Sequence, residues 1–152
     1  MLNRFVLRVH AIEASDVAAV RAFVPPLVHQ LTGRPMIADP GVNYARLCIP
    51  YVGAVALQRG AVGIADFQSA RLRDKDTAAL ASRIMVEIQD VGDPNALVPQ
   101  RIEIEMTDGT IHAVDMAEVI GSPAKPLSRE RHLEKFRENW KSGVIALVGD
   151  RG

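Results

Sequence analysis

The chain of 152 residues is long enough to bury a core, and its length predicts a single domain over residues 1–152. It carries 18 Lys and Arg against 18 Asp and Glu, and this zero net charge excludes a strong electrostatic attraction to nucleic acid or to an acidic membrane surface. With 48% hydrophobic residues, one cysteine and no recognisable signal peptide, the composition predicts a folded cytoplasmic protein without an internal disulfide.

The first part of the chain predicts a strand between two short helices. Residues 4–13 fit both helical and alternating spacing, and we interpret them as a short helix. Residues 17–24 alternate as a strand does, and Pro25-Pro26 ends that strand because proline cannot donate to a sheet. Residues 27–31 then predict a helical turn that stops at Gly33.

An apolar stretch over residues 47–57 predicts a buried helix around which we expect the other elements to pack. It contains ten apolar residues, one glycine and no charge. Pro50 suits the first turn of a helix, and Gly60 suits the left-handed position after the last turn. Spanning a bilayer takes about 20 residues, so this helix is too short to cross a membrane.

Two helices and a strand are predicted to follow. Asp66 is expected to cap a helix over residues 67–72, and Asp74 or Asp76 to cap the next one. The inner face of that next helix is predicted to consist of Leu80, Ala81 and Ile84. Residues 85–90 alternate, which predicts a strand with Val86 and Ile88 on one face.

The clearest local pattern is a hairpin in which apolar and charged residues alternate on both sides of Asp108-Gly109. This dipeptide predicts a two-residue turn. Such a turn places Met106 opposite Ile111 and Ile104 opposite Ala113, with all four side chains on the buried face.

Together these elements predict an α+β fold. Its sheet is expected to be mainly antiparallel and four-stranded, with one face covered by helices from residues 26–84. The predicted strands are residues 17–24, 85–90, 100–107 and 110–117. A final helix is predicted to begin near Ser128, with Leu133, Phe136 and Trp140 on one face.

The residue pattern alone contains no catalytic constellation. No phosphate loop or dinucleotide fingerprint is present, and the four histidines are not at metal-binding spacing. Cys48 is interpreted as a small buried residue rather than a nucleophile, because the sequence places no base beside it. Tyr51 is interpreted in the same way as a core residue whose hydroxyl has a nearby partner.

Residues 45–51, ARLCIPY, followed by a small-residue helix that ends at Gly60, resemble a signature of the MmgE/PrpD superfamily. Three further matches follow the family order and extend the resemblance over about residues 16–141. They are Val24-Pro25-Pro26, Asp108-Gly109, and Pro126-Leu127-Ser128 with residues 133–137.

The resemblance implies a role in carboxylate chemistry. The superfamily includes 2-methylcitrate dehydratase, cis-aconitate decarboxylase and iminodisuccinate epimerase, which move protons next to carboxylates without a metal or an organic cofactor. In these enzymes a large helical domain carries most of the catalytic groups, and a smaller α+β domain completes the site. The chain resembles that second domain alone, which implies a separate helical partner and a small carboxylate substrate.

The resemblance also implies three site residues. Arg46 and Cys48 are expected to bind substrate, Arg46 as a bidentate partner of a carboxylate, and Tyr51 is expected to act as a hydrogen-bond donor or proton relay. The chain departs from the family pattern in having Leu47 for an aromatic residue and Cys48 for a serine. It also lacks the Lys-x-Tyr-Pro-x-Cys segment that precedes the first strand in the family.

Two interpretations of the function therefore stay open. The chain is either one domain of a lyase or isomerase that needs a helical partner, or a non-catalytic remnant or assembly module that retains the fold. The acid and the reaction are not specified by the sequence. A domain without its partner exposes a contact surface, so we expect a homo-oligomer.

Overall fold

The computed structural model describes the backbone of residues 12–149 and the side chains of residues 12–141. The chain divides into two compact units, one that ends at Ala117 and one that begins at Glu118. The interpretation of the whole chain as one domain stays a prediction.

The first unit is built on a four-stranded sheet of order β2-β1-β3-β4. Its strands are β1 Val17–Val24, β2 Ile84–Ile88, β3 Gln100–Met106 and β4 Ile111–Met116. The predicted α+β class is confirmed, and two of the three strand pairs are antiparallel. The sheet is mixed because β1 and β2 are parallel. A parallel pair needs a long crossover connection, and the helical segment between these strands provides it.

Five helices occupy that connection. They are α1 Pro26–Thr32, α2 Val42–Arg46, α3 Ile49–Arg59, α4 Ser69–Leu72 and α5 Lys75–Ala81. The central helix α3 agrees with the sequence prediction, because Pro50 lies in its first turn and Gly60 ends it with a φ of 71°. The short helix α2 was not predicted, since the sequence carries no polar cap or apolar stripe that marks it.

Two predicted caps have different outcomes. Asp74 caps α5, because its side chain accepts a hydrogen bond from the Thr77 backbone N–H at 2.7 Å. The prediction that Asp66 caps a helix over residues 67–72 is wrong. Asp66 lies within a 3-10 turn, Ile64–Phe67, and its carboxylate accepts from the Gly63 N–H on the N-terminal side. The helix α4 begins after that turn, at Ser69.

The helix α3 contributes to two groups of buried side chains. Toward the sheet, Ala54 and Leu57 pack with Val20 of β1, Ile84 of β2 and Ile104 of β3. Away from the sheet, the second group consists of Ala45, Cys48, Tyr51, Val55 and Leu72. This double contact explains why α3 is apolar on nearly every side.

The hairpin register differs from the prediction by one residue. Ile104 lies opposite His112, and Ile111 lies opposite Glu105. The turn has three residues rather than two, because the Met106 N–H donates to the Thr110 carbonyl and Asp108 does not adopt the positive φ that a two-residue type I′ turn requires. The extra residue moves Ile111 to the opposite face of the sheet, where its side chain is 54% exposed.

Ion pairs cross the open face of the sheet, the face opposite the core. A network of three contacts links Arg21 to Glu103, Glu103 to Arg101, and Arg101 to Asp115, at 3.5, 3.0 and 2.9 Å. Exposed pairs of this kind contribute about 0–1 kcal/mol each. The network therefore does more to keep this face polar than to stabilise the sheet.

The second unit contains the helix α6, Arg129–Gly149. The Ser128 hydroxyl accepts from the Arg131 N–H at 3.3 Å, so the predicted start of this helix is confirmed. The rings of Phe136 and Trp140 stack with centroids 6.2 Å apart, and these residues are 62% and 65% exposed.

Of the helix predicted over residues 4–13, residues 4–11 lie outside the described residues, whereas Ile12 and Glu13 are not helical. No helix in the described part of the chain is long and apolar enough to cross a membrane.

Candidate functional site

The three site residues predicted from the sequence lie at the junction between α2 and α3. Arg46 is the last residue of α2, Cys48 precedes α3, and Tyr51 lies in the first turn of α3. The Cys48 N–H donates to the Ala45 carbonyl at 3.2 Å, which ends α2 and turns the chain into α3. The junction thus brings Cys48 and Tyr51 into one buried cluster, whereas the Arg46 side chain is exposed.

Cys48 is fully buried, with an exposed fraction of 0%. Its thiol donates to the Arg34 carbonyl, with Sγ 3.4 Å from the oxygen, and its backbone forms an isolated bridge with Gly33. Burial raises the pKa of the thiol above its ordinary value, although the Tyr51 N–H and the charge of Arg34 partly oppose this shift. The thiol is therefore protonated near neutral pH, which makes it a poor nucleophile.

Tyr51 is also fully buried. Its hydroxyl donates to the backbone carbonyl of Asp66, and its ring lies 6.0 Å from that of Phe67, tilted by 51°. Burial is the main cause that raises the pKa of the Tyr51 hydroxyl, and the nearby charge of Asp66 adds to it. This hydroxyl is consequently a structural donor that stays protonated in the folded protein.

Asp66 is a buried carboxylate that the sequence reasoning placed in the wrong role. It accepts from the Arg59 guanidinium at 2.7 Å and from the Gly63 N–H at 2.8 Å. The Gly63 contact is one of the two hydrogen bonds of a capping box, the one from the backbone N–H of the first residue to the side chain three residues later. The spacing of three residues between Gly63 and Asp66 was the signal available in the sequence. The Arg59 contact depends on the way the chain folds back on α3, so the sequence alone did not indicate it.

Two arginines near the junction lie against aromatic rings. The guanidinium carbon of Arg46 is 5.6 Å from the Phe67 ring centroid, and that of Arg34 is 5.1 Å from the Tyr44 centroid. Such cation–π contacts are attractive within about 6 Å. Phe67 was not among the predicted site residues, because no local pattern relates it to Arg46.

A comparison with known protein families shows the family of the chain. The MmgE/PrpD C-terminal domain matches residues 5–146. The chain belongs to this family. The match agrees with the resemblance inferred from the ARLCIPY segment and extends it toward both ends. None of the curated proteins compared with the chain matches it significantly.

In this MmgE/PrpD C-terminal domain the available chemistry is limited. Arg46 is the predicted site residue whose side chain is open to a ligand, and its N–H groups suit a carboxylate. Cys48 and Tyr51 support the junction from inside. Among the residues that the structure describes, no three His, Cys, Asp or Glu side chains are grouped as a metal site would require.

Proposed function

We propose that the chain is the small domain of a cytoplasmic MmgE/PrpD-type lyase or isomerase, which acts on small di- or tricarboxylates. The observation that carries this proposal is the exposed Arg46 guanidinium beside Phe67, within the segment that resembles the family signature. A guanidinium in this setting can bind one substrate carboxylate through two parallel hydrogen bonds. Family membership supports the substrate class.

In this proposal the proton transfers depend on a helical partner domain. Cys48 and Tyr51 are both fully buried, and their hydrogen-bond donors are engaged with backbone carbonyls. A general base must reach the proton that it removes, directly or through one water. Acid and base groups on a helical domain can reach the proton of a substrate that Arg46 holds.

Turnover assays with 2-methylcitrate and cis-aconitate test the proposal. They compare the chain alone with the chain mixed with a helical MmgE/PrpD-type domain, and the product of the adjacent reading frame is the first such domain to be tried. We expect no turnover by the chain alone and measurable turnover by the mixture. Arg46→Ala should lower kcat/KM about tenfold or more, because a charged hydrogen bond contributes about 1.5–3 kcal/mol. Lys75→Ala removes the same charge from the exposed start of α5 and should change little.

A contrary result would be turnover by the isolated chain that Tyr51→Phe abolishes. That result would place the chemistry on this domain. An Arg46→Ala variant with unchanged kcat/KM in the mixture would instead remove the carboxylate role of Arg46.

The burial of Cys48 and Tyr51 favours a second candidate, a non-catalytic assembly module. In that case both side chains are retained for packing alone, and the chain serves to bind a helical partner. Stable binding to the helical domain without turnover of any tested acid would support this module over the enzyme.

We also propose that the chain forms homo-oligomers. The support is exposed apolar surface on α6, where Phe136 and Trp140 are mostly open. The start of α3 does not contribute to this surface, because Pro50 and Tyr51 are buried within the first unit.

A further inference from the structure

The ring of Phe67 contacts both a buried ring and an exposed charge. Its centroid is 6.0 Å from the Tyr51 centroid and 5.6 Å from the guanidinium carbon of Arg46. We propose that Phe67 is a positioning residue, which holds the Arg46 guanidinium in place for a carboxylate of the ligand. This inference rests on the proposed function and adds a residue to its site.

The Phe67 ring is held in a fixed position relative to α3. Phe67 ends the 3-10 turn, and the preceding residue, Asp66, is bonded to α3 at two points. Its backbone carbonyl accepts from Tyr51 and its carboxylate accepts from Arg59. A hydrogen bond from the Gly63 N–H to the same carboxylate closes the turn. The ring therefore forms a rigid surface against which a long, flexible side chain can be ordered.

An aromatic partner leaves the hydrogen-bonding groups of Arg46 available. A guanidinium that stacks on a ring uses its flat face, while its five N–H groups point outward in its plane. Arg59 and Arg73 differ in this respect, because their N–H groups are bonded to the carboxylates of Asp66 and Asp39. Contact with Phe67 thus orders Arg46, and its N–H groups have no hydrogen-bond acceptor among the residues that the structure describes.

The N–H groups of the Arg46 guanidinium indicate the chemical class of the ligand group. A planar carboxylate can accept two parallel N–H bonds from a guanidinium, and ordering the guanidinium beforehand lowers the entropic cost of binding. A small di- or tricarboxylate offers one carboxylate to Arg46 and leaves the remainder of the molecule for a partner domain.

The test uses the full 152-residue chain and tricarballylate, a tricarboxylate without a reactive hydroxyl or double bond. NMR spectroscopy of the arginine Nε–Hε signals reports on Arg46, and Arg46→Lys assigns its signal. We expect a ring-current shift of this signal in the wild type, its loss in Phe67→Leu and its retention in Phe67→Trp. The Kd for tricarballylate should rise about two- to fivefold in Phe67→Leu.

Matched variants separate the role of the ring from general effects. Phe23→Leu changes another half-buried phenylalanine, in β1, and should leave the Kd unchanged. Thermal unfolding of each variant reports on folding, and Phe67→Met replaces Phe67→Leu if the leucine variant does not fold, because methionine adapts well to irregular packing.

The results distinguish the two proposals. If the wild type binds tricarballylate and Arg46→Ala abolishes binding, but Phe67→Leu has the wild-type Kd and an unchanged Arg46 signal, the positioning role is overturned and the proposed function stands. A rise of the Kd in Phe67→Trp as large as that in Phe67→Leu also overturns the positioning role. If the wild type and Arg46→Ala both fail to bind, the carboxylate role of Arg46 is overturned, and the positioning role with it.

Discussion

The hydroxyl of Tyr51 donates a hydrogen bond to the backbone carbonyl of Asp66, and the carboxylate of the same Asp66 binds Arg59. Tyr51 lies in the first turn of α3 and Arg59 is its last residue. One residue of the following turn therefore holds both ends of the helix. Because Tyr51 and Asp66 are buried, water cannot replace the Tyr51 contact without opening the structure, whereas the Arg59 guanidinium is partly exposed.

Tyr51→Phe should destabilise the folded chain. Removal of the hydroxyl leaves the Asp66 carbonyl buried without this donor, which costs about 1–3 kcal/mol. Calorimetry should show a fall in Tm of about 2–4 °C for each kcal/mol. Tyr44→Phe is the matched control, because the Tyr44 hydroxyl bonds to the Pro35 carbonyl at an exposed position. Equal losses in the two variants would contradict the structural role of Tyr51.

Asp66→Asn should also lower the free energy of unfolding. The substitution removes a charge-assisted hydrogen bond to Arg59 at a buried position, and we expect a loss of about 1–3 kcal/mol. Asp39→Asn changes an ion pair with Arg73 that is exposed on both sides, so it should have little effect. Urea unfolding of both variants measures the difference, and a larger loss in Asp39→Asn would refute it.

The cap of α5 should make stability depend on pH in the acid range. The Thr77 backbone N–H lowers the pKa of Asp74 below its ordinary value of 3.8. The stabilisation is therefore fully present above that value and is lost as the pH falls through the lower pKa of the folded state.

Asp74→Ala should consequently cost about 0.5–2 kcal/mol at pH 7 and progressively less as the pH falls below 3.8. Urea unfolding at pH 7 and near pH 2.5 measures this difference. Asp76→Ala is the control, because Asp76 lies in the first turn of α5 without being its cap. A cost for Asp74→Ala that stays constant between the two pH values would argue against a charged cap.

Gly109→Ala should destabilise the hairpin. Gly109 has a φ of 84°, and an L-residue with a Cβ in the left-handed region costs about 1–2 kcal/mol. Gly109→Asn should cost less, because asparagine adopts this region more readily. Thermal unfolding of the two variants decides the point, and an alanine variant as stable as the wild type would mean that the turn has another conformation in solution.

Light scattering at micromolar concentration should give a mass above the 16.5 kDa of one chain. A specific dimer buries about 1,000 Å² or more. Replacement of both Phe136 and Trp140 by serine should shift the chain toward monomer, whereas Leu97→Ser, at another exposed apolar position, should not. A wild-type monomer would contradict the proposed association.

Local signals allowed much of the fold to be predicted from the sequence. The bounds of β1 and the ends of α3 depend on residues close in sequence, and both were predicted correctly. The cap of α5 was narrowed to Asp74 or Asp76, and the structure has Asp74. The hairpin register was wrong, because Asp-Gly is compatible with both a two-residue and a three-residue turn. Gly109 has a positive φ in either turn, and the φ of Asp108, which is not positive here, distinguishes them.

The candidate site was less predictable because its contacts join separate segments. Arg46 and Phe67, and likewise Tyr51 and Asp66, meet only after the chain has turned back at Gly60. Their order in the sequence carries no period from which these contacts could be inferred. The catalytic role predicted for Tyr51 and the substrate-binding roles predicted for Arg46 and Cys48 stay predictions.

The position of β1 in the sheet has a consequence for synthesis on the ribosome. Val20 of β1 pairs with Ile84 on one side and with Ile104 on the other, so β1 lies between two strands of this sheet that are made after it. A nascent chain that ends before residue 84 carries β1 without either neighbour, as an apolar segment with open edges. Such non-local pairing slows folding. The nascent chain should therefore bind holdase chaperones until β3 has left the exit tunnel, and release from them should mark the closure of the sheet.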